Sequence, residues 1–356
     1  MMPLRVALVS GFWGQNIGNA FFNIGGKWIL EQVLPGAHIN FILDQPGYRT
    51  FNDQSRGNPR NDWGLLTKLD IDAIVLEGPM LTVDFRKLWG PSFETLALRG
   101  VKIILLGAAM FRFNEEEIRV CRDFLKNFPP YILSSRDTAT YNAFKDLAVH
   151  SHAGIDSAFF VPKAYTPFDL KTQPYVAMNF DRWHEPGITV DELPARSGSR
   201  DFEWKGRTWH LDFPERLMRW SDRNKWWSYL ASFADRRNLG NRIDGLEIVR
   251  PEHRFNPHIT PKIYKRPNAV ASDEPWTYFT LYANATLTVS DRVHACIVTL
   301  AYGRPAILFS KSPRSQVFDR LGLDAIRTRV VTLDPVYLEQ QRQNELTFLR
   351  NAMNSL

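Results

Sequence analysis

The segment from Thr288 to Leu308 constrains the fold more than any other part of the chain. Its first apolar run ends at Val289, a short polar turn spans Ser290 to His294, and a helix-period segment continues to Gly303. Pro305 and a second apolar run follow that glycine directly. A Gly with a Pro just beyond it is typical of a helix end, and short apolar runs are typical of buried strands. The segment therefore predicts strand, turn, helix and strand, the repeating unit of a parallel α/β sheet.

The turn of this segment carries the first two candidate catalytic residues, Arg292 and His294. A turn between a parallel strand and the next helix exposes free helix N–H groups, and such turns bind anions. A guanidinium can fork onto a carboxylate or a phosphate, and an imidazole exchanges a proton near neutral pH. We therefore expect Arg292 to bind an anion and His294 to act as an acid–base group. The alternative is that Arg292 forms a surface ion pair and His294 caps or packs a helix end.

The same alternation of apolar runs and helix-period segments fills the first half of the chain. Leu4–Ser10 is predicted to be a buried strand, the glycine-rich stretch 11–18 a turn, and Phe21–Val33 a helix. Prolines interrupt the periodicity between Pro162 and Pro174, which indicates a boundary. We predict an N-terminal α/β lobe over 1–165, a C-terminal α/β lobe over 166–334 and a terminal helix over 335–356.

The composition excludes several classes of protein. With 356 residues, of which 44% are hydrophobic and 23% charged, the chain is long enough for two globular domains. A net charge of +6 suits an anionic ligand, but without a basic tail it argues against nucleic acid as a partner. The two cysteines, Cys121 and Cys296, make no disulfide framework, so we expect a reducing, cytoplasmic location. No run approaches the roughly 20 apolar residues of a membrane span. No Cys/His cluster has zinc-ligand spacing, so we expect no metal.

A stretch rich in tryptophan and arginine, at about 181–245, differs from the rest of the chain. Between Arg200 and Arg242 it carries ten Lys/Arg and six Asp/Glu, a local charge of +4. One interpretation is an exposed basic and aromatic surface that stacks on sugar rings or binds an anionic polymer. The other is a core, because Trp226, Leu230 and Phe233 recur at helical spacing. We expect Trp226 to lie in the core, and we treat the stretch as an insertion in the C-terminal lobe.

Several motifs, taken in order, resemble the polysaccharide pyruvyl transferase family. The most specific is Ser290-Asp291-Arg292-Val293-His294-Ala295-Cys296 with its exit Gly303-Arg304-Pro305. It is similar to that family's Arg-aliphatic-His-Ala turn and Gly-x-Pro exit. Weaker matches stand at Gly14–Asn19, Ser135–Thr140, Gly154–Phe160 and Arg250–His253. The resemblance covers roughly residues 4–160 and 246–310.

The resemblance implies a fold, an activity and a set of ligands. Members of the family resemble two-lobed glycosyltransferases of the GT-B kind, with two Rossmann-like lobes and a cleft between them. They transfer the pyruvyl group of phosphoenolpyruvate to a sugar hydroxyl pair of a glycan, or of a lipid- or nucleotide-linked precursor, as in exopolysaccharide biosynthesis. No cofactor is implied. By this resemblance, the residues assigned to substrate binding are Asn16, Gly18, Arg136, Asp156 and His253.

Each of these residues also has a purely structural interpretation. Arg136 can pair with Asp137 or a helix neighbour, and His253 can be a strand-end histidine bonded to the backbone. Asp156 can cap a helix or a turn, and Asn16 and Gly18 can shape a tight turn.

The chain departs from the family pattern in its N-terminal part. Glu77-Gly78-Pro79-Met80 stands where the family usually has a run of glycines, and Gly107–Phe111 replaces a Gly-Gln-Ser-like turn. Two other functions therefore stay open. One is a nucleotide-sugar-dependent glycosyltransferase of the same architecture, which often needs an acidic residue late in the second lobe; Asp319 and Asp324 are the nearest. The other is a non-catalytic glycan- or anion-binding protein. The sequence does not determine the acceptor sugar or the oligomeric state.

Overall fold

The computed structural model of the protein describes residues 3–14, 16–43, 64–181, 183–192, 199–253 and 266–354. Two sheets of mainly parallel strands organise these residues, one formed before Gly154 and one after Pro174. The predicted α/β class with two lobes is confirmed.

The first sheet is entirely parallel and has the strand order β2-β1-β3-β4-β5-β6. Its strands are β1 (Arg5–Ser10), β2 (His38–Leu43), β3 (Ala73–Glu77), β4 (Lys102–Ala108), β5 (Ile132–Ser135) and β6 (His150–Ala153). The central strands are apolar on both faces because helices cover the sheet on both sides. Since β1 pairs with both β2 and β3, the direction of winding reverses there, and the carboxyl ends of β1 and β3 flank a crevice.

The helices of this lobe are α1 (Gly18–Val33), α2 (Leu65–Lys68), α3 (Phe85–Leu98), α4 (Glu115–Leu125), α5 (Thr138–Phe144) and α6 (Val161–Ala164). Two 3₁₀ turns, Lys145–Leu147 and Ser157–Phe160, complete it. Asn114 is the N-cap of α4, and its side chain accepts a hydrogen bond from the Glu117 N–H at 2.9 Å.

The second sheet has the order β11-β12-β7-β14-β15, and β13 pairs with β12. Its strands are β7 (Tyr175–Asn179), β11 (Arg242–Ile243), β12 (Leu246–Pro251), β13 (Ala269–Val270), β14 (Leu287–Ser290) and β15 (Ala306–Leu308). The helices are α7 (Glu215–Ser221), α8 (Lys225–Ala234), α9 (Pro275–Asn284), α10 (Val293–Ala301) and α11 (Pro335–Met353). Three 3₁₀ turns lie at Pro313–Val317, Asp319–Leu321 and Asp324–Arg327. The predicted strand, turn, helix and strand are thus β14, α10 and β15, and Gly303 ends the helix with φ 75°.

The stretch rich in tryptophan and arginine forms a small antiparallel sheet followed by a helical hairpin. The sheet has the order β8-β10-β9, with β8 at Gly187–Val190, β9 at Arg200–Trp204 and β10 at Arg207–Asp212. Trp209 lies fully buried in it and stacks on Phe202 with ring centroids 5.7 Å apart. Trp226 is 77% exposed, so the prediction that it lies in the core is wrong. Helix α8 turns the small side chain of Ala231 inward, and its bulkier apolar side faces solvent.

Helix α1 joins the two lobes in one hydrophobic core. Phe21 on α1 packs against His253 and Phe279 of the second lobe, with ring centroids 5.3 and 5.1 Å apart. A Cβ at Gly25 would lie 1.8 Å from the Ser157 carbonyl oxygen, so only glycine lets α1 approach that turn so closely. The terminal helix α11 returns to the first lobe, where Arg342 Nε donates to the Phe159 carbonyl at 3.0 Å. These contacts hold the carboxyl ends of the two sheets against each other. No helix among the described residues has the length and apolar character needed to cross a membrane.

Candidate active site

The Arg292–His294 turn lies where β14 meets α10. Strand β14 ends at Ser290, whose Oγ accepts a hydrogen bond from the Arg292 N–H at 2.9 Å. Arg292 is the N-cap of α10 with an extended backbone (φ −109°, ψ 120°), and His294 is the second residue of the helix. Because the chain is not yet helical at Arg292, both side chains reach the first lobe. The turn thus follows a strand of the second lobe and faces the first lobe.

The Arg292 side chain bridges the two lobes. Its Nη2 donates to Asn16 Oδ1 at 2.6 Å, and its Nε lies 3.5 Å from the Asp181 carboxylate. Asn16 in turn donates from Nδ2 to Asn19 Oδ1 at 3.0 Å, which fixes the orientation of its amide. The guanidinium is therefore held by one polar side chain from each lobe.

Gly18, the first residue of α1, stands beside the same side chains. A Cβ at Gly18 would lie 3.4 Å from both Asn16 Oδ1 and His294 Nδ1. The N-terminus of α1 therefore lies next to the imidazole, and the positive end of a helix dipole disfavours a charged imidazolium. The structure brings Asn16, Gly18, Arg292 and His294 together, as the sequence analysis expects of residues that share a site.

Arg136, Asp156 and His294 form a buried cluster across the interface. Arg136 follows β5, and its Nη1 donates to Asp156 Oδ2 at 2.6 Å. His294 Nε2 lies 3.5 Å from the same oxygen and 3.4 Å from Arg136 Nη1. The side chains of Arg136 and Asp156 are only 2% and 1% exposed, so theirs is an internal ion pair. Arg136 thus pairs with Asp156, while Asp137 caps α5 by accepting from the Thr140 N–H at 2.7 Å.

Asp156 has a capping role as well. Its Oδ1 accepts from the Ala158 N–H at 2.9 Å and caps the 3₁₀ turn that begins at Ser157. The capping interpretation is therefore right for one carboxylate oxygen, and the other oxygen remains for Arg136 and His294. The cap fixes the rotamer that holds Oδ2 in place.

Burial and neighbouring charges set the protonation states in this cluster. Burial raises the pKa of Asp156, but the Arg136 charge and the hydrogen bond with His294 outweigh burial and hold that pKa well below its usual range. Burial lowers the pKa of His294, and although Asp156 opposes this, the charges of Arg136 and Arg292 add to it. At neutral pH the cluster holds a guanidinium, a carboxylate and a neutral imidazole. His294 Nε2 faces both a hydrogen-bond acceptor, the Asp156 carboxylate, and a hydrogen-bond donor, the Arg136 guanidinium. A neutral imidazole beside a carboxylate that stabilises its charged form is suited to acid–base chemistry.

His253 lies at the edge of this region and contacts α1 and α9. Its Nε2 is 2.6 Å from the Tyr282 hydroxyl, and its carbonyl accepts from the Ile17 N–H at 3.0 Å. The ring is buried and packs edge-on against Phe21 and Tyr278. These contacts support the N-terminus of α1, and the substrate-binding role of His253 stays a prediction.

Glu77, at the carboxyl end of β3, is a buried acid that the sequence analysis noted only as a departure from the family pattern. Its Oε2 accepts from Asn23 Nδ2 at 2.9 Å. A Cβ at Gly26 would lie 1.9 Å from Oε1, so the glycine of α1 leaves space for the carboxyl group. Burial raises its pKa to about 8 against the lowering effect of Asn23 and Ser157, and the charge of Asp156 adds to the rise. Glu77 is therefore protonated at pH 7 and adds no second negative charge beside Asp156.

Replacing Glu77 with Gln is expected to flatten the pH dependence of stability. The native pKa of about 8 exceeds the ordinary 4.5, so the stabilisation is full below about pH 4.5 and disappears as the pH rises to 8. Between these two pH values the native state binds one proton more than the unfolded state, and this changes the free energy of unfolding by about 1.4 kcal/mol per pH unit. Chemical denaturation between pH 5 and pH 8 measures this, with the exposed Glu94→Gln as control. Parallel pH profiles of the wild type and Glu77→Gln would show that Glu77 is already ionised.

A pocket of about 350 Å³ opens beside the Arg292–His294 turn. It lies between the lobes, because Phe111 and Arg112 follow β4 whereas Trp183, Asp291 and the segment 309–314 follow β7, β14 and β15. Three of its lining residues are cations: Arg112, Lys311 and Arg314. The Arg314 guanidinium stacks over the Phe111 ring at 4.8 Å. Asp291 accepts from the backbone N–H groups of Asp181 and Trp183 at 3.1 and 2.7 Å.

The sequence analysis missed these three cations. Lys311 and Arg314 follow directly after the apolar run at Ala306–Leu308, which the analysis had already assigned to a strand. Ligands of open α/β sheets bind at the carboxyl ends of strands, so the position of Lys311 and Arg314 just after β15 identifies them as candidate ligand-binding residues. Arg112 carries the same signal, because it stands four residues after the end of β4.

Among the described residues, no group of three or more His, Cys, Asp or Glu is arranged to hold a metal ion.

Comparison with protein families gives one match that covers most of the chain. A family model described as polysaccharide pyruvyl transferase matches residues 16–313, the range that contains Asn16, Arg136, Asp156, His294 and Lys311. No curated protein sequence matches the chain.

Comparison with solved structures identifies proteins of the same architecture. MnaA from S. aureus, solved as a co-structure with UDP, has a TM-score of 0.52 and 10% identity over 98% of this chain and 90% of that chain. A putative UDP-N-acetylglucosamine 2-epimerase from Listeria monocytogenes has a TM-score of 0.52 and 10% identity over 99% of this chain and 91% of that chain. At this identity the likeness shows the fold, two Rossmann-like lobes of the GT-B kind.

Proposed function

Because the chain belongs to the polysaccharide pyruvyl transferase family, we propose that it transfers a pyruvyl group from phosphoenolpyruvate to a pair of sugar hydroxyls of a glycan or glycan precursor. One observation carries the proposal. A neutral histidine lies between a carboxylate and a guanidinium at the contact of two lobes, next to a pocket with three cations.

The cations suit the donor. Phosphoenolpyruvate carries a carboxylate and a phosphate on one small carbon frame, so its site needs at least two separated cationic groups. Arg112 comes from the first lobe, and Lys311 and Arg314 come from the second, so an anion between them is held from both sides. Phe111 and Phe309 give the same pocket an apolar wall for the methylene group.

The acid–base requirements of the transfer suit the buried cluster. A sugar hydroxyl must lose its proton as its oxygen bonds to C2 of the donor, while the methylene carbon C3 gains a proton. The bond from C2 to the phosphate oxygen then breaks, phosphate leaves, and the second hydroxyl loses its proton as it closes the ketal at C2. Neutral His294 can accept a hydroxyl proton, because Asp156 stabilises the resulting imidazolium, and the imidazolium can return a proton to C3.

A nucleotide-sugar donor is the alternative that the fold raises, since the similar solved structures carry UDP or are described as UDP-sugar enzymes. Of the two acidic residues that stand late in the second lobe, Asp319 and Asp324, the first forms an ion pair with Arg327 at 2.7 Å. We therefore favour phosphoenolpyruvate, and the experiment includes both donors.

Replacing Arg314 or Lys311 with Gln is expected to weaken phosphoenolpyruvate binding by about 1.5–3 kcal/mol each, the size of a hydrogen bond to a charged group. That change corresponds to roughly a 10- to 150-fold increase in Kd. Isothermal titration calorimetry with phosphoenolpyruvate and with UDP measures it on the wild type and the variants. Arg86→Gln, an exposed arginine on α3, is the matched control and is expected to leave Kd unchanged.

Two results would contradict the proposal. One is tight UDP binding by a wild-type protein that does not bind phosphoenolpyruvate, which favours the glycosyltransferase. The other is phosphoenolpyruvate binding that is equally strong in Arg314→Gln, Lys311→Gln and Arg86→Gln, which would place the donor outside this pocket.

A further inference from the structure

The hairpin of α7 and α8 exposes an apolar surface that the site does not use. We call it the hairpin surface and define it by five large side chains: Trp220, Trp226, Trp227, Leu230 and Phe233. Their exposed fractions are 40%, 77%, 36%, 50% and 46%. Trp226, Leu230 and Phe233 recur at intervals of four and three residues, so they form one stripe along α8. Isolated exposed apolar residues are common, but five within fourteen positions form a patch that calls for a partner.

The hairpin holds these side chains in a defined arrangement. Trp220 of α7 packs edge-on against Trp227 of α8 with ring centroids 5.9 Å apart. The Arg223 guanidinium lies over the Trp227 ring at 5.2 Å. Asn224 caps α8 by accepting from the Trp226 and Trp227 N–H groups at 3.0 and 3.1 Å. The stripe is therefore presented by a capped helix and not by an irregular loop.

Positive charge surrounds the hairpin surface. Over 215–236 the sequence carries five Lys/Arg and three Asp/Glu. One of the three carboxylates, Asp235, is buried and already bound to Arg237 and Arg266 at 2.9 Å each. The exposed arginines of the hairpin are Arg216, Arg219, Arg223 and Arg236. Of these, Arg219 forms an exposed ion pair with Glu215 at 3.6 Å.

We propose that the hairpin surface binds the face of an anionic lipid bilayer, with Trp226, Leu230 and Phe233 inserted among the acyl chains and the arginines at the head groups. Tryptophan prefers the interface between head groups and hydrocarbon, and a helix with an apolar stripe and basic flanks lies in that plane. Basic residues near an anionic bilayer each add to the attraction.

Two other occupants fit the surface less well. A glycan stacks on aromatic faces but also needs partners for its hydroxyls, and Leu230 and Phe233 offer none. A second copy of the chain would bring the same basic surface against itself, and like charges across an interface oppose association.

The hairpin also lies close to the pocket. Trp183 lines the pocket, and the next residue, His184, has its Nε2 2.9 Å from the Ser221 hydroxyl at the end of α7. Phe213, two residues before α7, packs edge-on against Trp183 with ring centroids 5.2 Å apart. A protein seated on a bilayer through the hairpin would hold this pocket near the membrane surface. The lipid binding itself does not rest on the proposed function, because it is measured without any transfer activity.

Vesicle co-sedimentation tests the proposal with the full-length protein. We expect binding to vesicles of phosphatidylcholine mixed with phosphatidylglycerol, weaker binding to phosphatidylcholine alone, and weakening by salt. The triple variant Trp226→Ser/Leu230→Ser/Phe233→Ser should lose at least 10-fold in partitioning. The matched control is Leu98→Ser/Val149→Ser/Val336→Ser, which removes three apolar side chains elsewhere that are 90%, 62% and 77% exposed. The single variant Trp226→Ser, at a 77% exposed position, gives the same readout with the least risk to folding.

Three outcomes would overturn the inference. The first is a wild-type protein that sediments with neither vesicle. The second is equal loss of binding in the hairpin and control triple variants. The third is a concentration-dependent dimer in light scattering that Trp226→Ser abolishes, since it would assign the surface to a second copy of the chain. None of these results bears on donor binding, so failure here and failure of the proposed function are distinguishable.

Discussion

Replacing His294 with Gln is expected to lower turnover by about 100-fold or more and to leave donor affinity close to that of the wild type. Glutamine keeps a hydrogen-bonding group at the same place but cannot take up a proton. The site then retains the pocket cations Arg112, Lys311 and Arg314, which are the groups expected to hold the donor. Product formation with a supplied glycan acceptor, measured beside calorimetric affinity for phosphoenolpyruvate, separates the two effects.

The pH profile gives an independent test of the same role. Since the pKa of His294 is lowered from the ordinary 6.5, the base stays unprotonated down to pH values below 6.5, and the acid limb of kcat is expected there. His38→Gln, at an exposed position on β2, is the matched control and should change neither quantity. If His294→Gln abolished donor binding and left turnover per bound donor unchanged, His294 would be a binding residue and the acid–base role would be wrong.

Arg292 has protein partners in both lobes, which its sequence motif does not indicate. The sequence analysis expects it to bind the donor anion, and this stays a prediction. In the structure its guanidinium bonds to Asn16 of the other lobe and lies near Asp181, so its charge is already partly compensated. Lys311 and Arg314 line the pocket itself. A substitution of Arg292 would therefore also remove its hydrogen bond to Asn16, which is a contact between the lobes. A loss of donor binding in such a variant would not by itself show that Arg292 touches the donor.

The sequence predicts the local elements well where the determining residues are close together. The strand, turn, helix and strand at β14, α10 and β15 follow from an apolar run, a glycine at positive φ and a proline within about twenty residues. The same holds for the start of α4, which is fixed by Asn114 and the acidic first turn. In both cases the residues that determine where the element begins and ends lie within the segment itself.

The contacts between distant segments could not be predicted in the same way. Arg136 has Asp137 beside it in the chain, yet its partner is Asp156, because β5 and β6 are neighbours and their carboxyl ends meet. The prediction that Trp226 is buried is wrong for a related reason. Helical periodicity identifies an apolar face, but whether another element covers that face depends on the packing of the whole lobe.

Replacing Asp156 with Ala is expected to reduce the free energy of unfolding by about 3–5 kcal/mol, the cost of leaving one member of a buried ion pair without its partner. Arg136 is 2% exposed and would keep its charge without the carboxylate to which its Nη1 donates. The substitution also removes the cap of the turn at Ser157, which adds to the loss. Urea denaturation measures the change. Asp146→Ala is the control, because it breaks a pair with Arg122 at a carboxylate that is 56% exposed, where a loss below about 1 kcal/mol is expected.

A second substitution shows whether the buried charge is the cause. In Asp156→Ala/Arg136→Met neither charge remains, and stability should recover much of the loss, because an ion pair replaced by apolar groups is often neutral in stability. The pH dependence has a definite sign. The native pKa of Asp156 lies below the ordinary 3.8, so its contribution is full above about pH 3.8 and is lost as the pH falls through the native value. A loss no larger in Asp156→Ala than in Asp146→Ala would contradict a buried pair. Recovery in the double variant with turnover still absent would show that the pair of charges beside His294 is required for the reaction and not only for stability.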